Sequence, residues 1–205
     1  MPFVFSTIGI TQDEEKKTYS NVAVDDRGES RKMTDYLLDL GHKKIAIITE
    51  SMEAQSIGKL RLEGYKDALT ARGIEIDERL IFEISEKQEP YSMENGYKMA
   101  KKLLASDAEF TAVFTIADFL DVGVCRALHE AGLRIPEDVS VAGYDGIPIG
   151  EFYTPQLTTI RQPAELMAEK TIKLLFDMIE GKTKYEHMVF PAELVVREST
   201  AKPGR

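Results

Sequence analysis

Residues 139–163 read V-S-V-A-G-Y-D-G-I-P-I-G-E-F-Y-T-P-Q-L-T-T-I-R-Q-P, and this stretch decides the fold. An apolar, β-branched run ends in Gly143-Tyr144-Asp145-Gly146, so a lone carboxylate leaves the carboxyl end of a strand inside a turn. A second short run then carries Gln162 to a boundary marked by Pro163. In an open α/β sheet ligands sit at the carboxyl ends of strands, which makes Asp145 and Gln162 the first site candidates.

Working outward, short apolar runs alternate with helical spacing along the whole chain, the pattern of parallel βαβ construction. The runs predict strands at 3–8, 22–24, 45–49, 80–84, 112–116, 139–144 and 188–196. Helical spacing appears at Met33, Tyr36, Leu37 and Leu40, at Leu60, Tyr65, Ala68 and Leu69, and at Tyr97, Ala100, Leu103 and Leu104. It returns at Val124, Cys125 and Leu128 and at Met167, Leu174, Leu175 and Met178. Gly41, Gly73, Gly132 and Gly181 stand where helices stop. The fold class is therefore α/β. The chain opens on a strand, a polar loop and another strand with no helix between, so it is expected to begin partway through a fold.

The 205 residues carry 26 Lys+Arg against 35 Asp+Glu, a net charge of −9, which repels phosphate backbones and leaves no basic stripe for nucleic acid. The single cysteine, Cys125, excludes an internal disulfide framework and fits a reducing compartment. The amino terminus lacks a basic n-region, and no apolar run approaches the roughly 20 residues of a membrane helix. A cytoplasmic location without membrane contact is expected.

Catalytic signatures are missing. There is no G-x-G-x-x-G after a strand, no phosphate-binding G-x-x-x-x-G-K-[ST] loop, no G-x-S-x-G elbow and no H-E-x-x-H helix. His42, His129 and His187 lack metal-ligand partners at useful spacing and read as surface or helix-terminal histidines. No enzyme activity, cofactor or metal is expected.

The binding candidates are polar side chains at strand ends. Arg61, in K-L-R-L-E-G-Y, reads as first-turn, where the helix dipole disfavours a cation, so it either grips a carboxylate, phosphate or hydroxyl pair beyond the helix or is simply solvated. Asp118 follows a strand and opens a helix, where capping explains it as well as a ligand does. Asp145 has no clear helix after it to cap, and a carboxylate there can accept from vicinal hydroxyls or an amine. Tyr91 precedes a helix and can stack on a sugar or base or pack on a neighbouring loop. Gln162 can read a polar group or stiffen a crossover.

Taken together, the chain resembles the effector-binding core of the LacI/GalR family of bacterial transcription regulators, which share the type I periplasmic-binding-protein-like fold. The resemblance rests on V-D-D-x-x-E-S and Y-L-L-D-L-G-H-K-K-I-A-I-I within 24–48, R-L-E-G-Y-x-x-A-L at 61–69 and G-I at 73–74. It continues with T-A-V-F at 111–114, A-L-H-E-A-G-L-R-I-P-E-D-V-S-V-A-G-Y-D at 127–145, P-Q-L-T-T-I-R-Q-P at 155–163 and P-A-E-L-V-V-R-E-S-T at 191–200.

The resemblance implies two Rossmann-like lobes with parallel sheets, joined by three connecting segments, clamping a small effector between them. Residues 1–40 and 164–186 would be the remnant of an incomplete headpiece-side lobe, 43–160 and 187–200 the distal lobe, and 201–205 a tail. The implied effector contacts are Thr7, Arg61, Tyr91, Asp118, Asp145 and Gln162. The effector would be a sugar, a sugar derivative or a nucleobase. A homodimer is implied, with Phe119 and Tyr153 on the distal dimer surface, and operator DNA would be read only through a headpiece missing from this chain. Two positions depart from the family pattern: Ala117 stands where an Asn is frequent, removing an amide contact, and Gly146 where Asp or Asn is common. A solute-binding protein of the same fold is the alternative, disfavoured by the amino terminus.

Overall fold

In a computed structural model, residues 2–6, 19–50, 56–86 and 88–204 are described. They form two sheets. The smaller has three parallel strands, β1 (Val4–Ser6), β2 (Ser20–Val24) and β8 (His187–Phe190), in the order β1-β2-β8. The larger has β3 (Ile45–Glu50), β4 (Ile81–Ile84), β5 (Ala112–Thr115), β6 (Ser140–Asp145), β7 (Thr158–Arg161) and β9 (Glu193–Val195), in the order β4-β3-β5-β6-β7-β9. All its pairs are parallel except β7 with β9.

The helices of the larger unit are α1 (Asp26–Leu40), α2 (Ile57–Ala71), α3 (Met93–Leu104), α4 (Asp118–Glu130) and the short α5 (Ile149–Phe152). Side-chain caps start three of them: Asp25 accepts from Gly28 N at 3.0 Å, Ser56 from Lys59 N at 3.2 Å and Ser92 from Asn95 N at 3.3 Å. Gly41, at φ 106°, turns back to the Leu37 and Leu38 carbonyls and ends α1. α1 packs along α2 and α3 along α4, and nearly every residue of β3, β5 and β6 is buried, as in central strands covered on both faces. The last helix, α6 (Ala164–Ile179), packs on β1 and β2 of the smaller sheet.

Three expectations about chain path need correction. The run 188–196 is not one strand: β8 pairs with β2 in the smaller sheet, and β9 pairs with β7 in the larger. Pro191, which has no amide hydrogen to donate, stands where the chain leaves the first sheet. Residues 26–40 were expected with the smaller lobe, yet α1 lies along α2, so the crossing falls between Val24 and Asp26. Residues 201–204 are no loose tail, because the Ala201 carbonyl accepts from His42 Nε2 at 2.8 Å and the Ala201 amide donates to Ser140 Oγ at 3.0 Å. His42 is accordingly buried rather than a surface histidine, and burial lowers its pKa.

Among the described residues the chain passes between the units three times: at Val24–Asp26, at Gln162–Pro163 and at Pro191–Ala192. The third crossing is held by α1, whose buried Glu29 accepts from the Ala192 amide at 3.0 Å while Lys32 Nζ donates to the Ala192 carbonyl at 3.0 Å.

Candidate functional site

The larger sheet reverses direction between β3 and β5. From β3 the chain moves outward to β4, whereas from β5 it moves the other way to β6 and β7. Loops diverging from neighbouring strands leave a crevice at their carboxyl ends, the usual ligand position in such sheets. Glu50, Ile116, Ala117 and Asp145 stand at or just beyond these ends.

Arg61 is the centre of the cluster. It lies in the second turn of α2, counted from the Ser56 cap, and is only 5% exposed. Its Nε and Nη2 both lie 2.8 Å from Asp26 Oδ1, and Nη1 donates to the Ile116 carbonyl. The guanidinium carbon stands 3.5 Å from the centroid of the Tyr144 ring, a stacked cation–π contact. Asp145 Oδ1 is 3.6 Å from Nη1. Burial works against the Arg61 charge, but Asp26, Tyr144 and Asp145 around it outweigh that effect and its pKa rises. The electrostatic partner expected beyond the helix is therefore an internal one, Asp26.

Asp145 keeps an open side: its side chain is 31% exposed. Gln162 Nε2 donates to its Oδ1 at 2.7 Å and the Gln162 amide donates to its carbonyl at 3.1 Å. The backbone at Asp145 has φ 111°, a conformation that side chains other than Gly rarely adopt and that concentrates at functional sites. Burial raises its carboxyl pKa more than Arg61 and Gln162 lower it. Gly146 follows at φ 75°, and a Cβ there would stand 2.5 Å from Arg161 Cα. A side chain there would force Arg161 to shift. A helix does follow this turn, but α5 is short and its Pro148 cap makes no side-chain bond, so Asp145 caps nothing.

Asp118 is placed differently from expectation. It is fully buried and does not cap α4, whose N-cap Ala117 offers no side chain. Its Oδ2 instead accepts from the Ile147 amide at 2.8 Å and its Oδ1 from Thr159 Oγ1 at 2.6 Å, binding the turn after Asp145 to β7. Burial pushes its pKa up to about 7 against those bonds. Asp118 thus shapes the site from beneath and presents nothing to the crevice.

Tyr91 is half-buried beside the cluster, and its hydroxyl donates to Glu50 Oε2 at 2.7 Å. Burial first, then Glu50, raises the phenol pKa. Glu50 Oε1 accepts from the Gly58 amide at 2.9 Å, so one carboxylate joins the end of β3, the start of α2 and the Tyr91 loop. Thr7 lies outside the described residues. Phe119 is 45% exposed, whereas Tyr153 is half-buried against Cys125, and the neighbouring Phe152, 85% exposed, carries the outward ring.

Asp26, Glu29, Glu50 and Thr159 are the members that the residue pattern did not single out. Asp26 stands in the quoted V-D-D block, but an acid in a helix's first turn already has an explanation in the helix dipole. Among the described residues no group of three or more His, Cys, Asp or Glu side chains could hold a metal, and no helix is long and apolar enough to cross a membrane.

Two sheets crossed three times, with polar strand ends facing the crossings, define the periplasmic-binding-protein-like class. Residues 34–200 match the family described as periplasmic binding protein-like domain, and the chain belongs to it. It is 32% identical over 199 residues to the HTH-type transcriptional regulator MalR of Clostridium butyricum, covering 97% of this chain and 58% of that protein. A solved complex of the transcriptional regulator CelR with cellobiose superposes with a TM-score of 0.87 at 33% identity, over 97% of this chain and 58% of the other. A LacI-family regulator from Enterococcus faecium, solved with bound ribose, gives 0.83 at 33% identity over 98% and 71%. The chain spans about half the length of the curated relatives it matches.

Proposed function

We propose that these residues are the effector-sensing core of a LacI/GalR-type transcriptional regulator, a cytoplasmic repressor that takes a small polar ligand, a sugar or sugar derivative, between the two units. One observation carries this reading: Asp145 is bonded to Gln162 at one crossing and faces Arg61, which is bonded to Asp26 at another. A hydroxyl ligand competing for Asp145 changes the polar contacts of both crossings at once. Its binding therefore biases the relative angle of the two units, and by linkage that angle biases operator affinity. Tyr91 supplies an aromatic face for a sugar ring. The relatives solved with cellobiose and ribose support a saccharide. The chain acts as a homodimer, and operator DNA is read by a unit outside these residues.

A thermal-shift screen of sugars, sugar acids and purines, followed by calorimetry, tests the reading. A ligand at 100 times its Kd raises stability by about 2.7 kcal/mol. Asp145→Asn, which tolerates the positive φ, is expected to weaken the hit by about tenfold or more. Unchanged affinity in that variant removes Asp145 from the site.

A further inference from the structure

We propose that Glu50 sets the charge class of the effector: with Asp145 it makes this end of the sheet a net acidic wall that accepts an uncharged polyhydroxylated ligand and rejects one bearing a carboxylate or phosphate. The inference rests on the reading of these strand ends as the effector site.

The argument starts from where the positive charge goes. Among the described residues Arg61 is the cation of this cluster, and it is spent internally. Three of its nitrogens are engaged, two with Asp26 and one with the Ile116 carbonyl, the Tyr144 ring covers one face, and the side chain is buried. Asp26 neutralises it before any ligand arrives. Lys59, in the first turn of α2, makes no ion pair with these groups. Asp145 and Glu50 are left as carboxylates in excess. Both act as acceptors, Asp145 towards Gln162 and Glu50 towards Tyr91 and Gly58.

Among the described residues, an anionic ligand meets two like charges and no available guanidinium, whereas neutral hydroxyls donate to carboxylate oxygens without that repulsion. Glu50 also fixes the Tyr91 hydroxyl, so the ring that would lie against a sugar is held by the same carboxylate that sets the charge. The two roles separate by substitution. In Glu50→Gln the amide oxygen still accepts from Gly58 and the amide nitrogen can donate to the Tyr91 hydroxyl, so the charge goes and the geometry stays. In Tyr91→Phe the bond goes and the charge stays.

The experiment is calorimetry with matched pairs: glucose with glucuronate and glucose 6-phosphate, ribose with ribose 5-phosphate, and cellobiose with cellobionate. For whichever ring binds, the neutral member is expected to bind at least ~10-fold more tightly than its anion. Glu50→Gln should narrow that ratio with an unchanged melting temperature, and Tyr91→Phe should preserve it whatever happens to affinity. An anion binding as well as its neutral partner, or a ratio indifferent to Glu50→Gln, overturns the proposal while leaving the effector site in place. If neither member of any pair binds, the saccharide-site reading fails and takes this proposal with it.

Discussion

Arg61 and Asp26 form a buried ion pair that joins α2 to the first turn of α1, immediately after the chain has crossed from the smaller sheet. Both side chains are almost inaccessible, at 6% and 2%. The residue expected to grip a ligand is therefore also what holds one crossing in place.

Removing either partner leaves an uncompensated buried charge. Arg61→Ala and Asp26→Ala are each expected to cost about 3–5 kcal/mol, measured by urea unfolding. Arg61→Ala is accordingly not a clean binding knockout, contrary to what its sequence position alone implies. Replacing both partners with apolar residues, Arg61→Met with Asp26→Leu, should recover much of the loss, because no charge is then left buried. A single-variant cost below about 1 kcal/mol would show the pair to be solvated.

A second buried pair gives a pH dependence. Asp118 and Asp121 are fully buried, and each has an oxygen beside the place where a Gly143 Cβ would stand, Asp121 Oδ2 at 1.9 Å and Asp118 Oδ1 at 2.5 Å. Asp121 Oδ1 accepts from Thr115, while its Oδ2 has no hydrogen-bond partner. Burial and Asp118, with a smaller effect from Asp145, raise the Asp121 pKa well above its ordinary value. Folded-state pKa values above the unfolded ones mean that the folded state holds the extra protons. The stability they contribute is complete below about pH 4 and is lost as pH rises through the folded value, about 7 for Asp118. Asp121→Asn removes one of the two carboxyls and supplies a donor for Asp118. It should stabilise the folded state at pH 8 more than at pH 5, by on the order of 1 kcal/mol, read from urea unfolding at the two pH values. An equal shift at both pH values contradicts the raised pKa.

Gly146 is required twice, by its φ of 75° and by Arg161 Cα, 2.5 Å from any added Cβ. Gly146→Ala is expected to cost at least ~1–3 kcal/mol and to displace the Asp145 carboxylate, so ligand affinity should fall with stability. Urea unfolding and calorimetry on the same sample check both.

The alternating strands and helices, the helix stops and the strand-end position of Asp145 were legible because each is a local signal. Gly41 ends α1 through its own backbone, and the central strands β3 and β5 read as near-continuous apolar runs because they are covered on both faces. What stayed hidden depends on partners far along the chain. The pairing of Arg61 with Asp26 spans 35 residues, and that of Glu50 with Tyr91 spans 41. The division of 188–196 between two sheets was masked because an apolar run looks the same whichever sheet it joins, and Pro191 was its one local mark. Asp118 misled because a carboxylate opening a helix normally caps it, whereas here the turn at Ile147 competes for the same oxygens.

The proposed homodimer has an aromatic surface to use, in which Phe152 joins Phe119. Phe119 is exposed, and Phe152 more so, while Tyr153 turns towards Cys125. An aromatic ring left this open contributes most when a second surface covers it. Phe152→Glu should therefore shift sedimentation equilibrium from dimer towards monomer without lowering the melting temperature of the monomer. Tyr153→Glu should lower that temperature, because it places a charge against the buried Cys125. If Phe152→Glu sediments as wild type does, the dimer surface lies elsewhere on the molecule.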